Sequence, residues 1–139
     1  MTHPQTPRIR VGLGMLGLDV HTKGIRSLAV RLRDRGFEVI MFGEHLTAEQ
    51  LVAGTVAEDV DVVGVSFSSA AYVKHCRNLL AEMKRQGADD VPVMVGGLIH
   101  ADDHETLRAM GIHGIFGPGS EISSIVDFLR ELPISSPKP

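Results

Sequence analysis

Asp19 and His21 stand two apart in GLDVHTKG, residues 17–24, between an apolar run and an amphipathic stretch. A loop carrying Asp-x-His can present the imidazole outward while the carboxylate accepts its other N–H, fixing the tautomer and raising basicity. That is how a supported metal ligand is built. The same residues also suit a plain loop, with Asp19 as a turn or helix-cap group. One histidine cannot hold a free zinc-type ion, because such sites need three or four protein ligands. A single useful His21 therefore points to a metal that arrives already caged. His100 and His104 could pair on one helix turn, but Asp102 and Asp103 between them read better as acids at a solvated helix start. Cys76 falls on an apolar stripe and reads as a small core residue. His45, His75 and His113 have no partner pattern, and no Ser-His-Asp, P-loop or G-x-G-x-x-G motif is present.

The elements that must position this loop are those of one domain, since the chain has 139 residues, 43% hydrophobic and 22% charged. Five of the seven prolines lie in the first or last seven residues, so the folded unit is expected at 8–132, with flexible tails at 1–7 and 133–139. No stretch has the length of a membrane span and the N-terminus lacks a signal-peptide core, which implies a cytoplasmic protein with no membrane partner. A net charge of −3 with mixed signs argues against nucleic acid. One cysteine excludes an internal disulfide and any C-x-x-C site.

Strands are expected at 9–14, 37–42, 60–66, 91–95 and 113–116, alternating with five helices. The helical stripes are Ile25, Leu28, Ala29 and Leu32; Leu51, Val52, Thr55 and Val56; Val73, Cys76, Leu80 and Met83; Leu107 and Met110; and Ile122, Ile125, Val126 and Leu129. Thr47 to Gln50 has capping-box form, and Gly36, Gly87 and Gly111 sit where helices end. Such alternation predicts an α/β fold: a doubly wound, flavodoxin-like parallel sheet of five strands, order 2-1-3-4-5, helices on both faces. Ligands of such sheets bind at the carboxyl ends of the strands. Those ends carry residues 16–22, 66–69, 96–99 and 116–120, where the small and polar residues converge.

With these placements the chain resembles the cobalamin-binding domain of adenosylcobalamin-dependent mutases and methionine synthase, whose signature is D-x-H-x-x-G, then S-x-L or a variant, then G-G. Asp19, His21 and Gly24 match the first element, Ser66-Phe67-Ser68 the second and Gly96-Gly97 the third. The closing IFGPGS, residues 115–120, resembles the methylmalonyl-CoA mutase branch. The resemblance implies that His21 replaces the cofactor's own base as lower cobalt ligand (base-off, His-on) and that the freed nucleotide tail enters the domain. The implied contact set is Asp19, Val20, His21, Thr22, Lys23, Gly24, Ser66, Ser68, Gly96, Gly97, Gly117 and Ser120. Glycines there allow close backbone approach, Ser66 or Ser68 would hydrogen-bond the tail, and N–H groups of 117–120 would meet its polar atoms.

The implied activity is that of the small subunit of a two-component acyl-CoA mutase, similar to the isobutyryl-CoA and 2-hydroxyisobutyryl-CoA enzymes. Adenosylcobalamin would supply a radical for carbon-skeleton isomerisation, while a separate large barrel subunit binds the acyl-CoA. No catalytic residue beyond cofactor ligation is expected in this chain. The small subunit of glutamate mutase and a non-catalytic corrinoid carrier or chaperone are the alternatives. Val20, Thr22 and Lys23 replace the usual Gly, Asp and Arg of the mutase loop, and Met15 stands where a lysine is common. Phe67-Ser68 in place of x-L is expected to reshape the tail slot, and an apolar rim of Met15, Leu16, Val20, Phe67, Leu98 and Ile99 is expected at the carboxyl edge.

Overall fold

Runs of β-branched residues such as VDVVGVSF and VPVMVGG form strands because they pack well on a pleated surface buried on both sides. A computed structural model describes residues 8–17, 22–117 and 119–133. The order is β1 (Arg10–Leu16), α1 (Lys23–Asp34), β2 (Glu38–Leu46), α2 (Ala48–Ala57), β3 (Val62–Phe67), α3 (Tyr72–Arg85), β4 (Val93–Gly97), a 3-10 turn (Ala101–Asp103), α4 (His104–Met110), β5 (Gly114–Phe116) and α5 (Ile122–Glu131). All strands pair in parallel in the order β2-β1-β3-β4-β5, as the alternation predicts.

Two apolar layers flank the sheet. Val11, Leu13, Met15, Val62 and Met94 point toward Ile25, Ala29 and Leu32 of α1 and Ile125, Val126 and Leu129 of α5. On the other face Val63, Val65, Phe67, Val93 and Val95 meet Leu51 and Val52 of α2, Cys76, Leu79 and Met83 of α3 and Leu107 of α4. Cys76 is fully buried, and burial pushes its thiol up to about 12, which leaves it an inert packing group. Val56, expected on the buried stripe of α2, is 51% exposed because Leu51, Val52 and Thr55 already cover the sheet.

Local signals act where expected. Thr47 accepts from the Gln50 N–H while the Gln50 side chain accepts from the Thr47 N–H, a complete capping box. Gly36 and Gly87, with φ of +92° and +77°, follow the last turns of α1 and α3. Strand limits shift for identifiable reasons. Pro92 has no N–H to donate, so β4 starts at Val93 rather than 91. β2 runs past Phe42 to Leu46 through register shifts against β1, where Gly43 and His45 take φ of +112° and +58°. Its Gly43-Glu44-His45 segment carries no apolar alternation to reveal a strand.

Phe42 wedges between β1 and α2, and both contacts require glycine. A Cβ on Gly12 would overlap the Phe42 ring, and one on Gly54 would lie 2.9 Å from it. Gly12→Ala is expected to force Phe42 out and lower stability by about 1–3 kcal/mol in denaturant unfolding. Wild-type stability in this variant would show that Phe42 does not pack there in solution.

Candidate functional site

The alternation along β3 and β4 builds a slot. On the face toward α2 and α3 these strands present Val63, Val65, Phe67, Val93 and Val95; on the opposite face they present Gly64, Ser66, Met94 and Gly96. Register places Leu13 beside Gly64 and Gly64 beside Met94, then Ser66 beside Gly96 and Gly96 beside Phe116. With so little side-chain volume there, α1 and α5 cannot close on the sheet's carboxyl half. A cavity of about 280 Å³ remains, bounded also by Ile25, Ser27, Leu28 and Arg31 of α1 and Ile125 of α5.

Glycines shape the slot in different ways. A Cβ on Gly64 would come within 2.8 Å of a Leu13 methyl and 2.9 Å of the Met94 methyl, so the glycine lets both side chains lie flat as a floor. Among the described residues, nothing lies within 4 Å of a Cβ position on Gly24 or Gly117, and both border the cavity. Gly97 is different: its φ is +103°, and a Cβ there would overlap the Phe67 carbonyl oxygen. Its glycine is demanded by the neighbouring backbone before any ligand is considered.

Of the residues singled out by sequence, Gly24, Ser66, Gly96, Gly97, Gly117 and Ser120 line this slot. Asp19, Val20 and His21 lie outside the described residues. Thr22 is the α1 N-cap and makes no side-chain cap bond, while Lys23 is exposed and Ser68 half-buried, neither on the slot wall. The Ser120 hydroxyl and N–H both donate to the Gly117 carbonyl, at 2.8 and 3.2 Å. That N–H is therefore committed to the β5–α5 turn rather than open to a ligand. Ser27, Leu28, Arg31, Gly64 and Met94 were not anticipated. The signal for Gly64 was in VVGVSF, where a glycine and a serine interrupt one face of an otherwise valine-rich strand.

The opposite face corrects two expectations. Phe67 points away from the slot and does not reshape it; its ring packs 6.3 Å from Tyr72 and 6.1 Å from His75. Met15, Leu16, Phe67 and Ile99 are buried, and only Leu98, 58% exposed, matches the expected apolar rim among the described residues. Met15 fills the α1/α5 layer, since an odd position on β1 faces that way. The β4–α4 loop is latched by Tyr72, whose hydroxyl donates to the Asp103 carboxylate and accepts the His100 N–H at 3.0 Å. The bond to Asp103 raises the Tyr72 pKa, so the hydroxyl stays protonated. His100 caps the 3-10 turn, its Nδ1 accepting the Asp102 N–H at 3.2 Å, and among the described residues no cluster of three His, Cys, Asp or Glu could hold a metal.

Gly97→Ala should lower stability by at least about 2 kcal/mol, from a disfavoured φ plus the clash with Phe67. Gly24→Ala, with open space around its Cβ, should leave it unchanged or slightly raised. Thermal melting of the two variants checks this, and equal melting temperatures would contradict the assigned crossing at Gly97.

The B12 binding domain family matches residues 9–126. The chain is 36% identical over 128 residues to the 2-hydroxyisobutanoyl-CoA mutase small subunit of Aquincola tertiaricarbonis, spanning 92% of this chain and 93% of that one. It is 37% identical over 114 residues to the ethylmalonyl-CoA mutase of Methylorubrum extorquens, but there spans only 16% of a much longer protein. A cobalamin-binding protein of Desulfitobacterium hafniense DCB-2 superposes with a TM-score of 0.75 over 89% of this chain and 58% of that one; at 19% identity this is a likeness of fold. No helix among the described residues is long and apolar enough to cross a membrane. By the family match over residues 9–126 and by its identity to the mutase small subunit along nearly its whole length, this chain belongs to the B12 binding domain family.

Proposed function

We propose that this chain is the cofactor-carrying small subunit of an adenosylcobalamin-dependent acyl-CoA mutase, with His21 as lower cobalt ligand and the nucleotide tail in the slot between α1, α5 and the sheet. The observation that carries the reading is the slot itself. Its floor of Leu13, Gly64 and Met94 suits a flat apolar heterocycle, and Ser27 and Ser66 offer hydroxyls to a sugar or a base nitrogen. Among the described residues, Arg31 is the single charged side chain on its wall and would favour one anionic group, which a phosphodiester supplies. The signature order supports the rest of the set: Asp19 orients His21, while Gly96, Gly97 and Gly117 keep the walls close to the backbone.

When bound, adenosylcobalamin supplies the radical chemistry. The chain's own work is to hold cobalt from below through His21, anchor the tail, and present the carboxyl edge to a partner. Relatives occur both as a small subunit and as a fraction of a longer mutase. The free-standing small subunit supports a separate partner for this chain, and the longer mutase supports a partner that supplies the remaining, acyl-CoA-binding barrel part of such an enzyme and covers the cofactor. The folded unit is residues 8–132, and a cytoplasmic location follows from this role.

Nitrogen-15 labelling of the protein should alter the superhyperfine splitting of bound cob(II)alamin in EPR spectra, and His21→Ala should abolish the effect. A splitting indifferent to the label would mean that the cofactor's own base still holds cobalt. In the slot, Gly24→Leu should weaken cobalamin binding about 5- to 150-fold through overpacking by about 1–3 kcal/mol, with the fold intact because a Cβ there meets no described residue. Undiminished affinity in titrations would remove the tail from this slot.

A further inference from the structure

The floor of the slot belongs to one row of residues across four strands. Leu13 of β1 stands beside Gly64 of β3, Gly64 beside Met94 of β4, and Met94 beside Gly114 of β5. Large side chains alternate with glycines along this row, and each gap is occupied. The Phe128 ring lies over Gly114, where a Cβ would stand 2.6 Å from its Cζ. A Leu13 methyl and the Met94 Cε methyl lie over Gly64, at 2.8 and 2.9 Å from a Cβ position there. Phe128 thus stands on the side of Met94 away from Gly64. Leu13 and Met94 are 1% and 3% exposed, within the layer packed against α1 and α5. This floor carries no polar side chain. Gly64 and Met94 sit on interior strands, whose N–H and C=O groups are taken up by the sheet's ladders, and a thioether is only a weak acceptor. Among the described residues, the slot's polar side chains stand on its walls and at its mouth: Ser27 and Arg31 on α1, Ser120 in the β5–α5 turn, and Ser66 two residues beyond Gly64, about 6–7 Å nearer the carboxyl edge.

We propose that Leu13 and Met94, folded over Gly64, select the lower base of the cofactor: the slot takes a benzimidazole-type base, whose far edge is hydrocarbon, and discriminates against a purine, whose far edge carries ring nitrogens and an amino group. This rests on the reading that the nucleotide tail occupies the slot. An amine or ring nitrogen set against this floor loses its water and finds no partner, which weakens binding about 5- to 150-fold for each unpaired group. A hydrocarbon edge loses no hydrogen bond there and gains contact with two methyl groups. The same two side chains set a length limit, because they close the slot where Gly64 alone would leave it deeper.

The test titrates wild type and variants, each shown to be folded by its melting curve, with cobalamin, with the corresponding adeninylcobamide and with cobinamide, which has no base. A cofactor's own cost of releasing its base from cobalt is the same for every variant, so the change in an affinity ratio between variants reads the floor. Met94→Gln offers an amide at nearly the same volume. It is expected to shift the ratio of cobalamin to adeninylcobamide affinity at least about fivefold toward the purine, with cobinamide binding as in wild type. Met94→Ala keeps the floor apolar but deepens the slot, and is expected to shift preference by a similar factor from cobalamin toward a cobamide with the longer naphthimidazole base. The two variants change different properties of the floor, so either one decides if the other fails to fold. Ratios unchanged from wild type, with cobalamin binding still weakened by Gly24→Leu, would overturn the proposal and leave the slot reading intact. Cobalamin affinity undiminished by Gly24→Leu as well would overturn both.

Discussion

The structure depends on an imbalance between the two faces of β3 and β4. One face carries valines and Phe67 and is packed solid; the other carries Gly64, Ser66 and Gly96 and leaves about 280 Å³ unfilled. Left dry and sealed, a void of that size would cost on the order of 7 kcal/mol at the roughly 24 cal/mol per Å³ measured for core cavities, comparable with the whole stability of a domain. Among the described residues the slot is not sealed, so water can occupy it in the free protein. A ligand that fills it adds the stabilisation that the missing side chains would have supplied. Folding and binding are linked through the same few small residues.

The packed face serves the site from behind. Phe67, Tyr72 and His75 join the ends of β1, β3 and β4 through ring contacts, the crossing of Gly97 over the Phe67 carbonyl, and the Tyr72 bonds to Asp103 and His100. Rigid support on one face is what allows the other to stay open without collapsing, because the helices that would fill the gap are held by strands that cannot shift.

Much of this was legible in the sequence. The fold followed from alternation, since buried parallel strands must read as apolar runs and their crossovers as amphipathic helices. The converging loops followed from topology. Gly24, Ser66, Gly96 and Gly117 could be named because they fall in the family's signature. Arg31, Ser27 and Met94 could not, because which residues on a helix or strand border a cavity depends on what the opposite wall lacks. The apolar rim failed for a related reason. Met15, next to last on β1, and Phe67, last on β3, point to opposite faces, each turned into a core layer, and residues at a strand's end are exposed only where no helix covers them. Gly97 looked like a ligand glycine by its signature, yet its φ and its approach to Phe67 already require glycine.

The central claim is that the gap over Gly64, Ser66 and Gly96 houses the cofactor's nucleotide tail. A crystal structure of the chain with bound cobalamin tests it most directly. The account predicts density for the benzimidazole between α1, α5 and the Leu13–Gly64–Met94 floor, with His21 below cobalt. Density for the base folded back beneath the corrin, with the slot holding only water, would contradict it.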